Sequence, residues 1–265
     1  MENKTQIFFS ILVTSYNYEK FIGQTLNSIV NQTYKNYEVI IVDDGSKDNS
    51  VSIIKQYTEK FENFKLYQHE NNENKGIVAS IKLALSKAKG EYITFLESDD
   101  YWHADYLMEK EKYIQQNNKT VLLCNAIQTI GEKSADEYIE KITKILSNKS
   151  NTNKHFDYMY KYNIIPTLSC VCIKKSELEK CNLNPIIPAW FDYWIYRQIV
   201  FDYPIDFINK KLTFWRIHKD SYNNKSEEDE RNTFRLFKQK SNKLLQSKNP
   251  LKFMLFLVRK FFKNF

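Results

Sequence analysis

The first hundred residues alternate short apolar runs with segments of helical periodicity, and this alternation limits the fold more than any other feature. Four apolar runs have the length and composition of strands buried on both faces. They occupy residues 7–13, 37–42, 64–69 and 91–96. Apolar residues at helical spacing lie between successive runs, and Gly90 ends the last of these helices. The alternation predicts right-handed βαβ units and a mostly parallel α/β sheet flanked by helices.

Polar clusters follow three of these predicted strands directly. Parallel strands bring their carboxyl ends to one edge of the sheet, and ligands of such sheets bind beyond that edge. The clusters are Thr14-Ser-Tyr-Asn17, Asp43-Asp-Gly-Ser46 and Glu97-Ser-Asp-Asp100. We therefore expect the three clusters to form one site.

The second half of the chain is less regular. Its expected elements are helices over 104–116 and 190–201, strands over 120–130, 168–173 and 205–217, a polar loop with a helix inside it over 131–154, and a charged linker over 223–231.

Positive charge is confined to the C-terminal tail. Residues 234–265 contain nine Lys or Arg and no acidic residue, so the net charge of +7 leaves the rest of the chain at −2. A nucleic-acid-binding domain more often spreads its positive charge over a folded face. We therefore expect no nucleic acid among the partners.

The tail also carries apolar residues at helical spacing. They are Leu251, Met254, Leu255, Val258, Phe261, Phe262 and Phe265, with Lys252, Arg259 and Lys263 on the opposite side. This pattern predicts a basic amphipathic helix, and residues 234–265 are expected to contact an anionic membrane surface. The alternative is that the apolar face docks on the protein itself or on a second subunit.

Cysteine usage and the N-terminus indicate a cytoplasmic location. The four cysteines form no C-x-x-C pair and are expected to be buried free thiols. The apolar run at 7–13 is too short for a leader and lacks a small-residue cleavage site, and no run of 18 apolar residues occurs. We expect a cytoplasmic protein, with its tail at the inner face of the cytoplasmic membrane.

The motifs resemble those of the family 2 glycosyltransferases with the GT-A fold. The resemblance is continuous over residues 6–105 and returns more weakly over 188–222. Its segments are Val13-Thr-Ser-Tyr-Asn17, Ser28-Ile-Val-Asn-Gln-Thr-Tyr34, Ile41-Val-Asp-Asp-Gly-Ser46, Gly90-Glu-Tyr-Ile-Thr-Phe-Leu-Glu-Ser-Asp-Asp-Tyr-Trp102, Trp190-Phe-Asp-Tyr-Trp194 and Trp215-Arg-Ile-His218.

The resemblance implies a division of the chain. Residues 1–222 would form the GT-A domain, with a half that binds the nucleotide sugar over 1–105 and a half that binds the acceptor over 106–222. Residues 223–265 would be a linker and the basic helical tail.

The resemblance also implies a set of donor-binding residues. Thr14 and Tyr16 would line the base pocket, Asp44 would accept a hydrogen bond from the base, and Lys75 would reach the base or the diphosphate. Glu97 would bind the ribose. For Asp44 the alternative is a structural role in an Asp-Gly turn.

A divalent cation is the cofactor that the resemblance implies. Asp99 stands at the second acidic position of a D-x-D-like motif and would hold Mn²⁺ or Mg²⁺, because carboxylate oxygens suit these hard cations. His218 would help to bind the metal or would contact the diphosphate, and Arg216 would pair with phosphate. The other histidines (His69, His103 and His155) are expected to be surface or packing residues.

Asp192 is the candidate general base. It lies in the segment that resembles the family's acceptor-side motif, although Phe191 replaces the usual glutamate there. Aromatic neighbours would raise its pKa by desolvation. The alternative is a helix N-terminal aspartate among core aromatics.

The activity implied is transfer of a sugar from a nucleoside-diphosphate sugar, with a UDP-sugar expected, to a hydroxyl of a glycan or lipid-linked acceptor. The resemblance implies inversion at the anomeric carbon and a role in bacterial surface polysaccharide, lipooligosaccharide or glycoprotein glycan assembly. Two departures, Glu97 for aspartate and Phe191 for glutamate, leave an alternative. The chain would then be a catalytically impaired relative that binds a nucleotide sugar or a glycan.

Overall fold

The computed structural model describes residues 6–131, 135–218 and 227–262. The strands are β1 (Phe9–Ser15), β2 (Tyr37–Asp43), β3 (Phe64–Gln68), β4 (Tyr92–Phe95), β5 (Tyr101–Trp102), β6 (Leu122–Gly131), β7 (Val171–Lys174) and β8 (Ile205–Ile217). The helices are α1 (Ile22–Val30), α2 (Ser50–Lys60), α3 (Ile77–Lys87), α4 (Tyr106–Gln116), α5 (Asp136–Ser147), α6 (His155–Lys161), α7 (Lys175–Leu178), α8 (Phe191–Val200), α9 (Glu227–Lys248) and α10 (Pro250–Phe262).

The strands of the described residues form one sheet in the order β3-β2-β1-β4-β7-β6-β8-β5. The first four are mutually parallel, as the strand–helix alternation predicted. Strand β7 then runs antiparallel to both β4 and β6, while β6 and β8 are parallel to each other. As a result the amino end of β7 lies beside the carboxyl ends of β1 and β4.

Both faces of the parallel half are covered, and this explains its continuous apolar strands. Alternate residues of β1 and β2 point to opposite faces. One face packs against α1 and α2, and the other packs against α3. The α/β prediction with helices on both sides of the sheet is therefore confirmed.

The structure differs from the sequence expectations outside this half. Strand β5 was not predicted, because a two-residue strand has no periodicity to detect. Within its described residues, the polar stretch 131–154 contains α5, the helix expected there, and α6 follows it from His155, where no helix was expected. Helix α9 begins at Glu227, inside the segment predicted as a linker. The rest of that segment, residues 223–226, lies outside the described residues, as do the boundary at 222, Lys263 and Phe265.

The tail docks on the body of the protein. Phe237 of α9 is buried against the rings of Trp190, Tyr193 and Trp194. From α10, Phe253 and Phe256 are buried in a separate apolar cluster with Phe201 and Leu245. Of the helices described, none has both the length and the apolar character needed to cross a membrane.

Gly45 fixes the turn that follows β2. Its φ is +82°, and a Cβ there would stand 2.5 Å from the carbonyl oxygen of Asn72. We expect Gly45→Ala to lower the free energy of unfolding by at least about 2 kcal/mol, or about 4–8 °C in Tm, since a positive φ and a backbone clash are added together.

Gly23→Ala is the matched control for thermal unfolding. Gly23 lies in helix α1, and a Cβ at this position would stand 3.9 Å from its nearest neighbour, Cγ2 of Ile53. Alanine is favoured over glycine in a helix by about 1 kcal/mol, so this variant is expected to be neutral or stabilised. Equal Tm values for the two variants would contradict the role given to Gly45.

Candidate active site

The acidic turn after β4 is held by helix α1 and strand β8. The Thr25 hydroxyl lies 2.9 Å from the carbonyl oxygen of Ser98 and 2.7 Å from that of Asp100. The buried Asp100 carboxylate accepts the Arg216 backbone N–H at 2.9 Å. Burial and the neighbouring charges of Asp99 and Glu97 raise the pKa of Asp100. Asp100 therefore supports the turn from inside the protein.

Glu97 is fixed from the segment that leads into β7. The Thr167 hydroxyl donates to Glu97 Oε2 at 2.5 Å, and the Glu97 backbone N–H donates to Ser169 Oγ at 3.0 Å. Burial, together with the charge of Asp99, raises the pKa of Glu97 to about 8, although the Thr167 hydrogen bond opposes this rise. The longer side chain at this position is thus held in one orientation by Thr167.

Asp99 and His218, the two predicted metal ligands, contact each other in the structure, and their role in binding a metal remains a prediction. Asp99 Oδ2 lies 3.0 Å from His218 Nε2, and both side chains are largely buried. The rings of Phe21 and Tyr18 lie 4.9 and 5.9 Å from the imidazole. These contacts fix the orientation of the ring toward the carboxylate.

This pair fits a divalent cation. Adjacent ligands of an octahedral ion bound at about 2.1 Å stand about 3 Å apart, which is the separation found here. Burial, and after it the neighbouring carboxylates, raise the pKa values of Glu97 and Asp100, and a cation bound at Asp99 would offset negative charge at the turn. No third Asp, Glu, His or Cys joins the pair to form a complete metal site within the described ranges. The remaining ligands would therefore come from a bound diphosphate and water.

The Arg216 side chain hydrogen-bonds to the acidic turn and to helix α1. Its Nη1 donates to the Asp99 carbonyl oxygen, its Nη2 donates to Gln24 Oε1 at 2.6 Å, and the guanidinium stacks 4.5 Å from the Phe21 ring centre. These contacts tie α1 to the acidic turn. The predicted pairing of Arg216 with phosphate remains a prediction.

Asp44 organises the loop before α3. Its carboxylate accepts the backbone N–H groups of Lys75 and Gly76 at 2.8 and 2.9 Å, and His69 Nε2 stands 3.4 Å away. The Asp44 backbone N–H donates to the Ser15 carbonyl oxygen, which joins the ends of β1 and β2. The structure thus gives Asp44 a positioning role, and its contact with a base remains a prediction.

The other predicted donor residues line the same rim. Thr14 is half-buried near the end of β1, and Tyr16 beyond it is 44% exposed, so its ring is open to a planar ligand. The Lys75 side chain is exposed, with Nζ 3.9 Å from the Glu73 carboxylate. Thr14 lies at the carboxyl end of β1, and Asp44 and Glu97 follow the adjacent parallel strands β2 and β4, so the three clusters converge on one rim as expected.

Asp192 lies in the first turn of α8. Its Oδ2 accepts a hydrogen bond from Asn163 Nδ2 at 3.2 Å. Burial raises the pKa of Asp192 to about 6, although hydrogen bonds from the Tyr193 backbone and from Asn163 oppose the rise. Tyr196, one turn after Asp192 on α8, donates to the Thr167 carbonyl oxygen at 3.4 Å, and the Thr167 hydroxyl binds Glu97, so α8 contacts the segment that holds the acidic turn. Phe191 is buried in the core.

The sequence analysis missed several residues of this site. His69 contacts Asp44, although we expected a surface or packing role, and Thr167 and Asn163 were not selected. Tyr138 on α5 donates to the Asn163 carbonyl oxygen at 2.8 Å, and the charge of Asp192 contributes to its raised pKa. Thr167 and Asn163 precede β7, and only the antiparallel direction of β7 brings that end to the rim.

We expect Thr167→Val to raise the KM for the sugar donor about tenfold, with a smaller effect on kcat. Valine has nearly the same shape but removes the hydrogen bond to the Glu97 carboxyl group, an interaction worth about 0.5–1.5 kcal/mol. Thr167→Ser keeps the hydroxyl and is expected to restore most of the affinity. Wild-type kinetics in Thr167→Val would contradict the positioning role.

The model of the family described as glycosyl transferase family 2 matches residues 10–174, which include the three acidic and polar clusters of the rim. The chain belongs to glycosyl transferase family 2. The residues selected from the motifs of the first half therefore lie within the matched region, while Asp192, Arg216 and His218 lie beyond it.

Similar proteins extend this comparison. An uncharacterized glycosyltransferase of Haemophilus influenzae is 39% identical over 41% of this chain and 43% of its own length. The UDP-Glc:alpha-D-GlcNAc-diphosphoundecaprenol beta-1,3-glucosyltransferase WfaP of Escherichia coli is 29% identical over 80% of this chain and 78% of its own. The chain spans less than half the length of the curated relatives that it matches over the motif region.

Solved structures support the fold. The crystal structure of Staphylococcus aureus TarS 1-349 in complex with UDP-GlcNAc has a TM-score of 0.66 and 20% identity, and covers 91% of this chain and 71% of its own. The predicted GT-A fold is confirmed by this likeness and by the family match.

Proposed function

We propose that this family 2 chain is a glycosyltransferase that moves a sugar from a nucleoside-diphosphate sugar to a hydroxyl of a glycan or lipid-linked acceptor. The observation that carries the proposal is the pairing of Asp99 with His218 at 3.0 Å in the acidic turn that also holds Glu97. Helix α8, which carries Asp192, contacts the segment before β7 that holds this turn. A UDP-sugar is the proposed donor, since the names of two similar proteins specify UDP-Glc and UDP-GlcNAc. Bacterial surface polysaccharide or a related glycan is the proposed product.

The donor half supplies the groups that bind the nucleotide sugar. Tyr16 offers an exposed ring for the base, Asp44 offers a carboxylate next to it, and Glu97 is oriented by Thr167 toward the ribose. Asp99 and His218 would hold Mn²⁺ or Mg²⁺, which when bound neutralises charge on the departing diphosphate.

The acceptor half supplies the base. Asp192, oriented by Asn163, would take the proton from the acceptor hydroxyl as that oxygen attacks the anomeric carbon. A carboxylate with a pKa of about 6 is ionised at neutral pH and still basic enough to accept a proton. Attack from the face opposite the leaving diphosphate inverts the anomeric configuration.

The experiment that tests this function measures release of the nucleoside diphosphate by the purified protein from a panel of UDP-, GDP- and dTDP-sugars, with CMP release from CMP-sugars measured in parallel. Each donor is assayed with Mn²⁺, Mg²⁺ or EDTA, and calorimetry measures donor binding. We expect metal-dependent release from one donor. Binding of a donor without turnover in any acceptor mixture would support the impaired relative instead, and absence of binding to every donor would overturn the donor site.

We also propose that α10 rests on an anionic membrane surface. Lys252 and Arg259, on the polar side of the helix, turn inward and pair with Asp202 and Asp157 of the body at 3.0 and 2.8 Å. The apolar side faces outward. Its exposed residues are Leu251, Met254, Leu255 and Val258, with 62, 53, 57 and 45% of their surface accessible. An apolar stripe of this kind marks an interaction surface.

Charge favours a lipid surface over a second copy of the chain. A symmetric contact through α10 would place the same segment on both sides, and residues 234–265 carry nine positive charges without an acidic residue. Anionic lipid headgroups attract such a segment, whereas a second copy repels it. At 13 residues, α10 is too short to span a bilayer and would lie along its surface.

Flotation with vesicles of phosphatidylcholine, with and without phosphatidylglycerol, tests this contact. We expect the full chain to bind the anionic vesicles, and Met254→Gln with Val258→Gln to weaken binding about tenfold without a change of net charge. Leu236→Gln, at an exposed leucine of α9, is the matched control. Vesicle binding that the double variant leaves unchanged, or concentration-dependent dimers in place of vesicle binding, would overturn the proposal.

A further inference from the structure

Three cationic side chains converge on one aromatic ring at the junction of α6, α8, α9 and α10. Lys260 Nζ lies 3.7 Å from the centre of the Tyr160 ring, Lys238 Nζ lies 5.9 Å from it, and the Arg197 guanidinium carbon lies 5.2 Å from it. Lys238 also stands 4.3 Å from the Phe234 ring. We call Lys238, Lys260, Arg197 and Tyr160 the Tyr160 cluster.

Arg197 supplies a fixed charge behind the ring. It is completely buried on α8, and its Nη2 donates to Asn242 Oδ1 at 2.7 Å. Asn242 in turn donates to the Tyr160 hydroxyl at 3.3 Å, so Asn242 links the guanidinium to the ring. Further aromatic faces lie 5.8 and 5.9 Å from the guanidinium, those of Tyr193 and Phe237.

The carboxylates near the Tyr160 cluster form their ion pairs with cations outside the cluster. Asp157 pairs with Arg259, and Asp202 pairs with Lys248 and Lys252. Within the described residues no carboxylate forms an ion pair with Arg197, Lys238 or Lys260. Burial and the neighbouring charge of Arg197 lower the pKa of Lys238. Burial and the charge of Lys161 lower the pKa of Lys260, although the charge of Asp157 opposes this shift.

Aromatic faces attract cations, but they do not cancel the mutual repulsion of three positive charges that surround one ring. An anion placed between Lys238 and Lys260 would remove that repulsion. Both lysines are half-buried, so their ammonium groups are held near the cluster while part of each side chain is reached from outside. Phosphate is the anion that suits two point charges with several donors each.

We infer that Lys238 and Lys260, supported by the buried Arg197, form a phosphate-binding site on the Tyr160 cluster. The phosphate belongs to a lipid headgroup or is free in solution. One of its two lysines, Lys260, lies on α10, the helix that carries the outward apolar residues. A phosphate bound there would lie between α9 and α10 and would hold the two helices together.

The experiment compares two double variants of the full chain. Lys238→Ala with Lys260→Ala removes the accessible part of the site. Lys240→Ala with Lys243→Ala removes the same charge from exposed positions of α9 and serves as the control. Binding is measured on phosphatidylcholine vesicles that contain either phosphatidic acid or oleic acid, matched for surface charge. Inorganic phosphate is compared with chloride at equal ionic strength through its effect on Tm.

We expect the site variant to lose at least about ten times more affinity for the phosphatidic-acid vesicles than the control variant, with no such difference on the oleic-acid vesicles. A rise in Tm with inorganic phosphate, seen in the control and absent in the site variant, would identify free phosphate as a ligand. A selective loss of affinity for the phosphatidic-acid vesicles, without an effect of inorganic phosphate on Tm, would identify the lipid headgroup as the ligand.

Equal losses in the two double variants on both kinds of vesicle, with no selective effect of inorganic phosphate, would overturn the site, since general attraction to negative charge predicts equal losses. The test of the membrane proposal for α10 is independent of the test of the phosphate site. Its test changes apolar side chains and leaves the charge intact, so vesicle binding that depends on the lysines alone would retain the site and reject the apolar contact.

Discussion

Asp192→Asn is expected to lower kcat about 10²- to 10⁴-fold and to leave donor binding near the wild-type value. Asparagine has the same size and keeps a side-chain oxygen toward Asn163, so the first turn of α8 should retain its structure. It lacks the basicity needed to remove a proton from the acceptor hydroxyl. Steady-state kinetics with saturating donor, combined with calorimetry of donor binding, measure the two effects separately.

The pH dependence of the wild-type protein gives an independent check on the same residue. Burial raises the pKa of Asp192 to about 6, and a base acts only in its deprotonated form. The acidic limb of kcat/KM that belongs to Asp192 should therefore have an apparent pKa of about 6 and fall about tenfold for each pH unit below it, because protonation removes the active form of the base.

Glu59→Gln, which neutralises an exposed carboxylate of α2, is the control for this pH experiment. It should reproduce the wild-type profile, and the small residual activity of Asp192→Asn should lack the acidic limb. An acidic limb that is unchanged in Asp192→Asn would assign the proton transfer to another group and contradict the proposed base.

The first half of the chain was predictable from the sequence because its signals are local. Each parallel strand is a continuous apolar run, and candidate site residues follow it directly, as Asp44 follows β2 and Asp99 follows β4. Because the carboxyl ends of parallel strands lie at one edge of the sheet, these residues are then expected to lie close together. The same rule failed for Thr167, which precedes its strand. Its place beside Glu97 depends on the reversed direction of β7, and no local pattern in the sequence encodes that direction.

The tail shows a second limit of sequence patterns. Periodicity identified the apolar and basic sides of α10 but gave no information about which side the body covers. The body offers Asp157 and Asp202 to the basic side, together with a buried cluster around Phe201 that receives Phe253 and Phe256. These partners lie 50 or more residues away along the chain. Tertiary contacts, and not the local sequence pattern, therefore determine that the apolar side of α10 faces outward.

Asp99→Asn is expected to reduce sugar transfer by about 10³-fold or more, equivalent to about 4 kcal/mol of transition-state stabilisation. The variant removes the charged oxygen that stands 3.0 Å from His218 Nε2. Chelation by EDTA should reduce the wild-type activity to a similar level, and added Mn²⁺ should restore the wild-type protein but not the variant. Wild-type activity that EDTA leaves unchanged would contradict the proposed metal dependence.

Comparison of Asp99→Asn with Asp100→Asn distinguishes the proposed metal ligand, Asp99, from the neighbouring carboxylate that supports the turn. Asp100 is buried and accepts the Arg216 backbone N–H, so its substitution should lower Tm and leave Mn²⁺ binding to the folded protein less affected than Asp99→Asn does. Asp99 is partly accessible and should show the opposite pattern, with weakened Mn²⁺ binding by electron paramagnetic resonance and little change in Tm. If both variants lost metal and stability together, the acidic turn would act as one unit, and the assignment of the metal to Asp99 and His218 would be wrong.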